Sequence, residues 1–493
     1  MHRIDFRLDQ ITKIEGDASM DVVVEDGKVT NVKFAIVEYK RFFTEAMKGK
    51  SIVAMPAHLA RICGTCSNAH VMAAIVACED ALGIKPTPQT DLLRKLTMHG
   101  LMIRDHALHL YLFVMPDLYN KDAFLEFDDN DPEQHQLLHD GFDVKAAGNH
   151  LAQIVAGRSV HATYPVIGGF LQVPSKEHAM ESVAELQSVR EAVLRLIDIF
   201  IKAPQHLDCK TKFMALVPED SFGYIGGKII SSIGEVYEKK DFRSHLEHTV
   251  LPYSQASAYT YKGESYMVGS LARINLAKDK LHPKTKESAK EALKLFPSTD
   301  IFHNNLAQAI EILHGIDESI DILSNNTFVA EPPIKAPMKA GIGMGVIEAP
   351  RGTLYHKIVI DDKGIVTEGE VIVPTGQNQL NIERDVGVLV EKIMDTMPKD
   401  KVNFEIEKLI RAYDPCMSCG AHFLKVNWHP TSLKLRRASP TSLKLRRARK
   451  AKVKAKSKKL GKKVEKMKIS KSKKVQVVNK KSKNSKSKIK VKK

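Results

Sequence analysis

The sequence predicts a mainly α-helical protein with small β-sheets, an α+β body with a long central helix bundle and peripheral hairpins. Three observations predict it. Apolar residues recur at helical spacing over several long segments. Strict alternation is confined to two regions, one near the N-terminus and one in the C-terminal third. The 493 residues, 43% of them hydrophobic, suffice for a large core, yet no run reaches the roughly 18 uncharged apolar residues of a membrane span.

The elements follow in order. Residues 17–37 alternate through Met20, Val22 and Val24, turn at Asp26-Gly27, and resume at Val29, Val32 and Phe34, which predicts a hairpin. Residues 57–82 read as a helix around a first cysteine pair, and residues 90–115 as a second helix carrying His99, His106 and His109. Ser175 opens a helix to about Lys202, with Val183, Leu186, Val189, Val193 and Ile197 on one face. Residues 300–324 repeat the pattern through Leu306, Ile310, Leu313, Ile316 and Ile320. Between Gly341 and Thr375 the period becomes that of strands: residues 355–360 and 365–373 form a second hairpin about Asp361-Asp362-Lys363-Gly364, and the motif Pro374-Thr375-Gly376-Gln377-Asn378 reads as strand. Residues 381–397 return to helix.

Charge divides the chain. Residues 423–493 hold 29 Lys and Arg against the single acid Glu465, a charge of +28, which leaves residues 1–422 at −11 out of a total of +17. Within that segment residues 430–438 (PTSLKLRRA) recur at 440–448, and Lys, Ser and Val dominate beyond. So little apolar material predicts disorder. The N-terminal residues are polar, with no apolar signal core and no twin-arginine pair, so the expected compartment is the cytoplasm.

Six cysteines are too few for a disulfide scaffold. Cys78 and Cys209 stand alone and read as small buried residues. The other four form Cys63-Gly-Thr-Cys66 and Cys416-Met-Ser-Cys419. Two such pairs suggest four thiolates on one metal centre, and a three-residue step on a helix turn would place both sulfurs of a pair on one side. On spacing alone, a structural zinc site and an iron–sulfur cluster both fit.

The neighbours of the pairs are more specific. Arg61-Ile-Cys63-Gly-Thr-Cys66-Ser-Asn-Ala-His70 and Asp414-Pro-Cys416-Met-Ser-Cys419-Gly-Ala-His422 resemble the two defining motifs of nickel–iron hydrogenase large subunits. Further matches are Ile11-Thr-Lys-Ile-Glu15-Gly16, Glu45 within residues 42–49, Arg104-Asp105-His106, Glu348-Ala-Pro350-Arg351-Gly352 and Val373-Pro374-Thr375. The resemblance spans residues 1–422 as one large-subunit body and stops at the basic segment 423–493.

The resemblance implies that fold and reversible heterolytic cleavage of dihydrogen at a nickel–iron centre. Cys66 and Cys419 would bridge the metals, while Cys63 and Cys416 would bind nickel alone. The iron would carry cyanide and carbon monoxide, with Pro350, Arg351 and Thr375 around them. Arg351 would receive the proton or stabilise developing charge, with Asp105 and Asp414 as anionic partners; an Arg rarely deprotonates, which favours the electrostatic role. Glu15 would relay protons from a terminal thiolate, and His70 would donate a hydrogen bond toward a bridging sulfur. Glu45 and His422, with a backbone carbonyl near Val371, would hold a second ion, usually magnesium. Asp17 stands where the family commonly has His, and Ser67-Asn68 replace a Pro-containing stretch.

The compact body and the Pro374–Asn378 motif look like the soluble multimeric members that serve a deazaflavin, a nicotinamide or a heterodisulfide partner. Implied partners are an iron–sulfur small subunit, further electron-transfer subunits, maturation proteins and an endopeptidase cutting after His422. The basic segment reads as an extension removed with the propeptide, a nucleic-acid-binding appendage, or a frame-shifted or fused stretch; beyond Trp428 no aromatic residue is interleaved with its lysines and the body is acidic, which argues against nucleic acid as the body's ligand. The alternatives are a respiratory-complex-type subunit, which has lost the cysteines, and a zinc-stabilised, non-catalytic protein with a nucleic-acid-binding tail.

Overall fold

A computed structural model describes residues 3–38 and 42–421; His422 and the basic segment, with what was expected of them, lie outside the described residues. Antiparallel strands open the described chain: β1 (Arg3–Leu8), β2 (Ala18–Glu25) and β3 (Lys28–Ile36), in that order. Ala18, Met20, Val22 and Val24 are buried along one face of β2, so the alternation that predicts the hairpin also fixes its register.

Long helices follow: α1 (Ser67–Leu82), α2 (Pro88–Ala107), α3 (Pro132–Ala156), α4 (Lys176–Ile201) and α5 (His303–Asn325). Three starts show why the helices begin where they do. The Thr87 hydroxyl accepts the Thr90 N–H, Asp131 accepts those of Glu133 and Gln134, and Ser175 accepts that of His178. Pro88 and Pro132 occupy the first helical position, where the missing N–H costs nothing. α2 packs on α3 and α5, and α4 on α3 and α5, which makes the expected central bundle.

A second antiparallel sheet, β4 (Gly341–Ala349), β5 (Gly352–Ile360) and β6 (Val366–Ile372), lies against α1. The approach is close enough that a Cβ at Gly343 would stand 1.8 Å from the Ala77 carbonyl oxygen, and one at Gly345 1.9 Å from that of Ala73. Only glycine allows that spacing. A smaller four-stranded sheet (Lys212–Val217, Lys228–Ser231, Val236–Tyr237, Tyr266–Met267) packs nearby. The described chain closes with α6 (Pro374–Ile393), α7 (Lys399–Ala412) and a one-turn helix, Met417–Gly420. Among the described residues no helix is long and apolar enough to cross a membrane.

Several boundaries differ from expectation. The helix expected over 57–82 is interrupted: Met55–Leu59 is helical, Ala60–Ile62 is a 3-10 turn, Cys63 is extended (φ −142°, ψ 150°), and α1 begins only after Cys66. The first pair is therefore not on a helix turn; its sulfurs converge across a loop whose Thr65 carbonyl accepts from the Arg104 guanidinium. Residues 374–378 are not strand but the first turn of α6, because Pro374 pre-sets a helical φ. That helix accordingly starts seven residues before the expected Asn381 and ends at Ile393. Beyond Ala107, α2 widens into a π-helical stretch, Leu108–Val114, before one more α turn, Met115–Leu118.

Candidate metal centre

Four buried sulfurs meet where the N-terminus of α1, the end of the chain's described part and the loop after β1 come together. Cys63 Sγ lies 3.4 Å from Cys416 Sγ, Cys66 Sγ 2.9 Å from Cys419 Sγ, and Cys416 Sγ 3.1 Å from Cys419 Sγ. All four ligand atoms fall within 4.8 Å of one another. Cys66 occupies the N-cap position of α1, and its own N–H points at Cys63 Sγ at 3.5 Å. Cys416 is fixed from outside its segment: its N–H donates to Thr375 Oγ1 at 3.0 Å, on the first turn of α6.

Burial without compensating charge pushes the Cys416 and Cys419 thiols well above their ordinary range. Hydrogen bonds, led by that from Cys416, hold Cys63 well below it. Four thiols that cannot all ionise by themselves are a donor set awaiting a cation, which would stabilise every thiolate at once. Soft sulfur donors match nickel and iron, so the residues present fit the implied centre.

Around the sulfurs the polar groups are few and fixed. Arg351, in the turn between β4 and β5, donates from Nη1 to Asp105 Oδ2 at 2.7 Å and from Nη2 to Asp414 Oδ1 at 2.8 Å. Burial opposes its charge, but the two carboxylates outweigh it and hold the guanidinium protonated, well above its ordinary pKa. Asp414 is held in turn by Gln308 Nε2 at 3.0 Å, from α5. Pro350 is buried beside Arg351, and its carbonyl accepts from Arg273 Nη2 at 3.0 Å. Arg273 also spans Glu311 and Glu348, so this loop is anchored in a buried ionic network.

Glu15 is half-buried and bridges to the cysteine segment twice: its carbonyl accepts the Met417 N–H at 2.9 Å, and its Oε2 accepts the Ser418 N–H at 3.0 Å. The same oxygen lies 3.1 Å from Cys416 Sγ. On the other side, His70 Nε2 is 3.6 Å from Cys419 Sγ, and His70 Nδ1 is 3.1 Å from His356 Nε2 on β5. Ser67 and Asn68 serve the local structure. Ser67 Oγ accepts the His161 N–H and Asn68 Oδ1 that of Ala162, which ties the 159–162 loop to α1.

The structure thus brings together Cys63, Cys66, Cys416, Cys419, Glu15, His70, Asp105, Pro350, Arg351, Thr375 and Asp414. Glu45 is not among them. It sits on the short helix Phe43–Met47 against β6, with its side chain largely exposed and paired to Lys48 at 2.9 Å. Its expected co-ligand His422 lies outside the described residues. Sequence reading missed His356, Gln308 and Arg273. Nothing local marks them, because each acts through a contact with a residue far away in the chain.

With this geometry in view, the chain matches the family described as nickel-dependent hydrogenase over residues 41–138 and 234–422, more than half its length. The chain belongs to the nickel-dependent hydrogenases. Among curated hydrogenase subunits it is 32% identical to sulfhydrogenase 1 subunit alpha of Pyrococcus furiosus, over 85% of this chain and 98% of that one. It is 28% identical to the NAD-reducing hydrogenase HoxS subunit beta of Cupriavidus necator, over 85% and 94% of the two chains. The solved NAD+-reducing [NiFe]-hydrogenase in the H2-reduced state superposes with a TM-score of 0.75 at 25% identity, covering 86% of this chain and 100% of the other. The hydrogenase large-subunit fold is therefore the one expected, and the non-catalytic zinc-protein alternative is set aside.

Proposed function

We propose that this chain is the catalytic subunit in which dihydrogen is split reversibly into hydride and proton, at a nickel–iron pair held by Cys63, Cys66, Cys416 and Cys419. The observation that carries the reading is the convergence of these four buried sulfurs beside a doubly paired arginine and a carboxylate 3.1 Å from Cys416 Sγ. When bound, the metal pair supplies the polarised site at which the bond between the two hydrogens breaks. Cys63, Cys66, Cys416 and Cys419 would hold the pair as thiolates. Iron, with cyanide and carbon monoxide, would face Pro350, Arg351 and Thr375.

The protein's own groups divide the remaining work. Arg351 keeps its charge because Asp105 and Asp414 flank it, so it stabilises developing negative charge and does not act as a base. A proton arriving on Cys416 Sγ passes to Glu15 Oε2, which the Ser418 N–H holds in place to receive it. His70 Nε2–H points toward Cys419 Sγ if His70 Nδ1 accepts from His356 Nε2–H, so His356 is a positioning residue for that contact.

Electrons leave through another subunit. Only Cys78 and Cys209 remain outside the centre, too few for an iron–sulfur relay, so an iron–sulfur small subunit is the partner, with further electron-transfer subunits and maturation proteins around it. The reading extends to a magnesium ion at Glu45 and His422, to cleavage after His422 that separates a 1–422 body from residues 423–493, and to a cytoplasmic location. Dye reduction under dihydrogen by the purified complex tests the core of it. Cys416→Ser abolishes the activity, and elemental analysis of the unsubstituted complex finds nickel with iron. Activity surviving that substitution, or zinc alone, overturns the reading.

A further inference from the structure

Two more groups of His and carboxylate donors lie outside the thiol centre among the described residues: His99, His314 and Glu318, and His206, Asp300 and His303. As residue sets they are nearly equivalent. They differ in which ring nitrogens are free, and that decides whether a metal can bind.

In the first group the backbone N–H of His282 donates to His314 Nδ1 at 3.1 Å. A neutral imidazole carries one N–H, so His314 Nε2 holds it, 3.0 Å from Glu318 Oε2. The proton cannot move to Nδ1, which already accepts the backbone N–H, so His314 Nε2 cannot become a ligand. This group is a buried polar cluster between α2 and α5, not a metal site.

The second group is built the opposite way. His303 Nδ1 lies 2.7 Å from Ser298 Oγ, a hydroxyl with two lone pairs that also receives the Asp300 N–H at 3.1 Å. The ring can donate there, which leaves the Nε2 lone pair facing Asp300 Oδ2 at 4.0 Å. His206 Nδ1–H donates to that same oxygen at 2.7 Å, and because the side chain is exposed the ring proton can move to Nε2 and leave Nδ1 to an incoming ion. The other carboxylate oxygen of Asp300 is already used, accepting the N–H groups of Leu207 and Phe302. The two backbone segments are tied together as well, Ile301 N–H to the Leu207 carbonyl and Cys209 N–H to that of Thr299, each at 3.2 Å. Asp300 and His303 are therefore fixed by their neighbours, and His206, whose side chain is 61% exposed, meets them from the solvent side.

We propose that His206, Asp300 and His303 bind one divalent transition-metal ion of the zinc class, with water completing its shell. Donors on a tetrahedral ion with bonds of about 2.0 Å stand roughly 3.3 Å apart, a value bracketed by the 2.7 and 4.0 Å separations here. Two imidazoles with one carboxylate select zinc, cobalt or nickel over magnesium or calcium. An ion held there would clamp the 206–209 segment to the first residue of α5, the helix that carries Gln308 to Asp414.

The test uses the complete, metal-loaded complex after washing with a mild chelator, so that the thiol centre is already filled. Elemental analysis after equilibration with Zn2+ finds one more equivalent than before, and Co2+ in its place gives the visible absorption of a four- or five-coordinate ion. His206→Gln and His303→Gln each weaken the added equivalent by about tenfold or more, since losing a direct ligand costs at least as much as losing an outer partner. His206 is exposed, so its variant folds even if the His303 variant does not, and dihydrogen-dependent dye reduction verifies that it has. No added equivalent in the unsubstituted complex, or an equivalent that binds equally well to His206→Gln, overturns the proposal.

Discussion

The two cysteine pairs supply the same donors and are built differently. Cys63 and Cys66 run directly into α1, sixteen residues long and buried almost throughout. Their position is inherited from the packing of that helix on β4 and β5. Cys416 and Cys419 lie beyond α7 on a single helical turn and are held by separate polar contacts from Thr375, Glu15 and, through Asp414, Arg351. One half of the centre is set by the core. The other is set by a handful of hydrogen bonds, most of them removable by one substitution, and this is the half that proton transfer uses.

That contrast can be broken in steps. Glu15→Gln keeps the Ser418 contact and removes the proton acceptor, so turnover falls about 10²–10⁴-fold while nickel and iron content is unchanged. Equal turnover at full metal loading would remove Glu15 from the reaction. Arg351→Lys keeps one charge but cannot span Asp105 and Asp414 together; the expected loss in turnover is about 10²–10³-fold, read by steady-state dye reduction. Glu15→Gln spares the α1 half and changes thermal stability little, whereas Arg351→Lys also lowers it, because one of two buried carboxylates loses its partner.

The supports of the second half give smaller, measurable effects. Glu383 on α6 accepts the Phe34 N–H and the Tyr253 hydroxyl, and burial pushes its pKa up to about 7. The folded chain then holds a proton that the unfolded chain releases at its ordinary value of 4.5. The stability this supplies is complete below about pH 4.5 and is lost as the pH rises to about 7, a change of order 3 kcal/mol. Melting curves across that window should show the slope, and Glu383→Gln should flatten it. Thr375→Val leaves the Cys416 N–H without its acceptor and costs about 1–2 kcal/mol by chemical denaturation. If Thr375→Val costs nothing, the second pair is held by packing after all, and the contrast fails.

The same division governs what the sequence reveals. The bundle helices α2, α4 and α5 were legible because each buries apolar residues at helical spacing, and Ser175 marked its own helix start; α3, Pro132–Ala156, was not read from the sequence. The four cysteines were legible because sulfur is scarce in this chain and close spacing stands out. The loop at Cys63 was not, since the apolar period runs through it and the distant Arg104 helps to stabilise the break. Pro374–Asn378 misled because a buried first helical turn and a buried strand end have the same composition. His356 and Gln308 were invisible for a plainer reason: their partners lie 286 and 106 residues away in sequence.

Gly345 stands opposite His356 in the β4–β5 ladder, and it is also one of the two glycines at which β4 comes closest to α1. Ala73, whose carbonyl it nearly touches, is one helical turn beyond His70. The bare backbone at 345 therefore works as a gauge block between two machined faces: its thickness sets how far His356 must reach to meet His70. A single added methyl group there would displace the imidazole pair without altering either histidine, and the error would appear at Cys419.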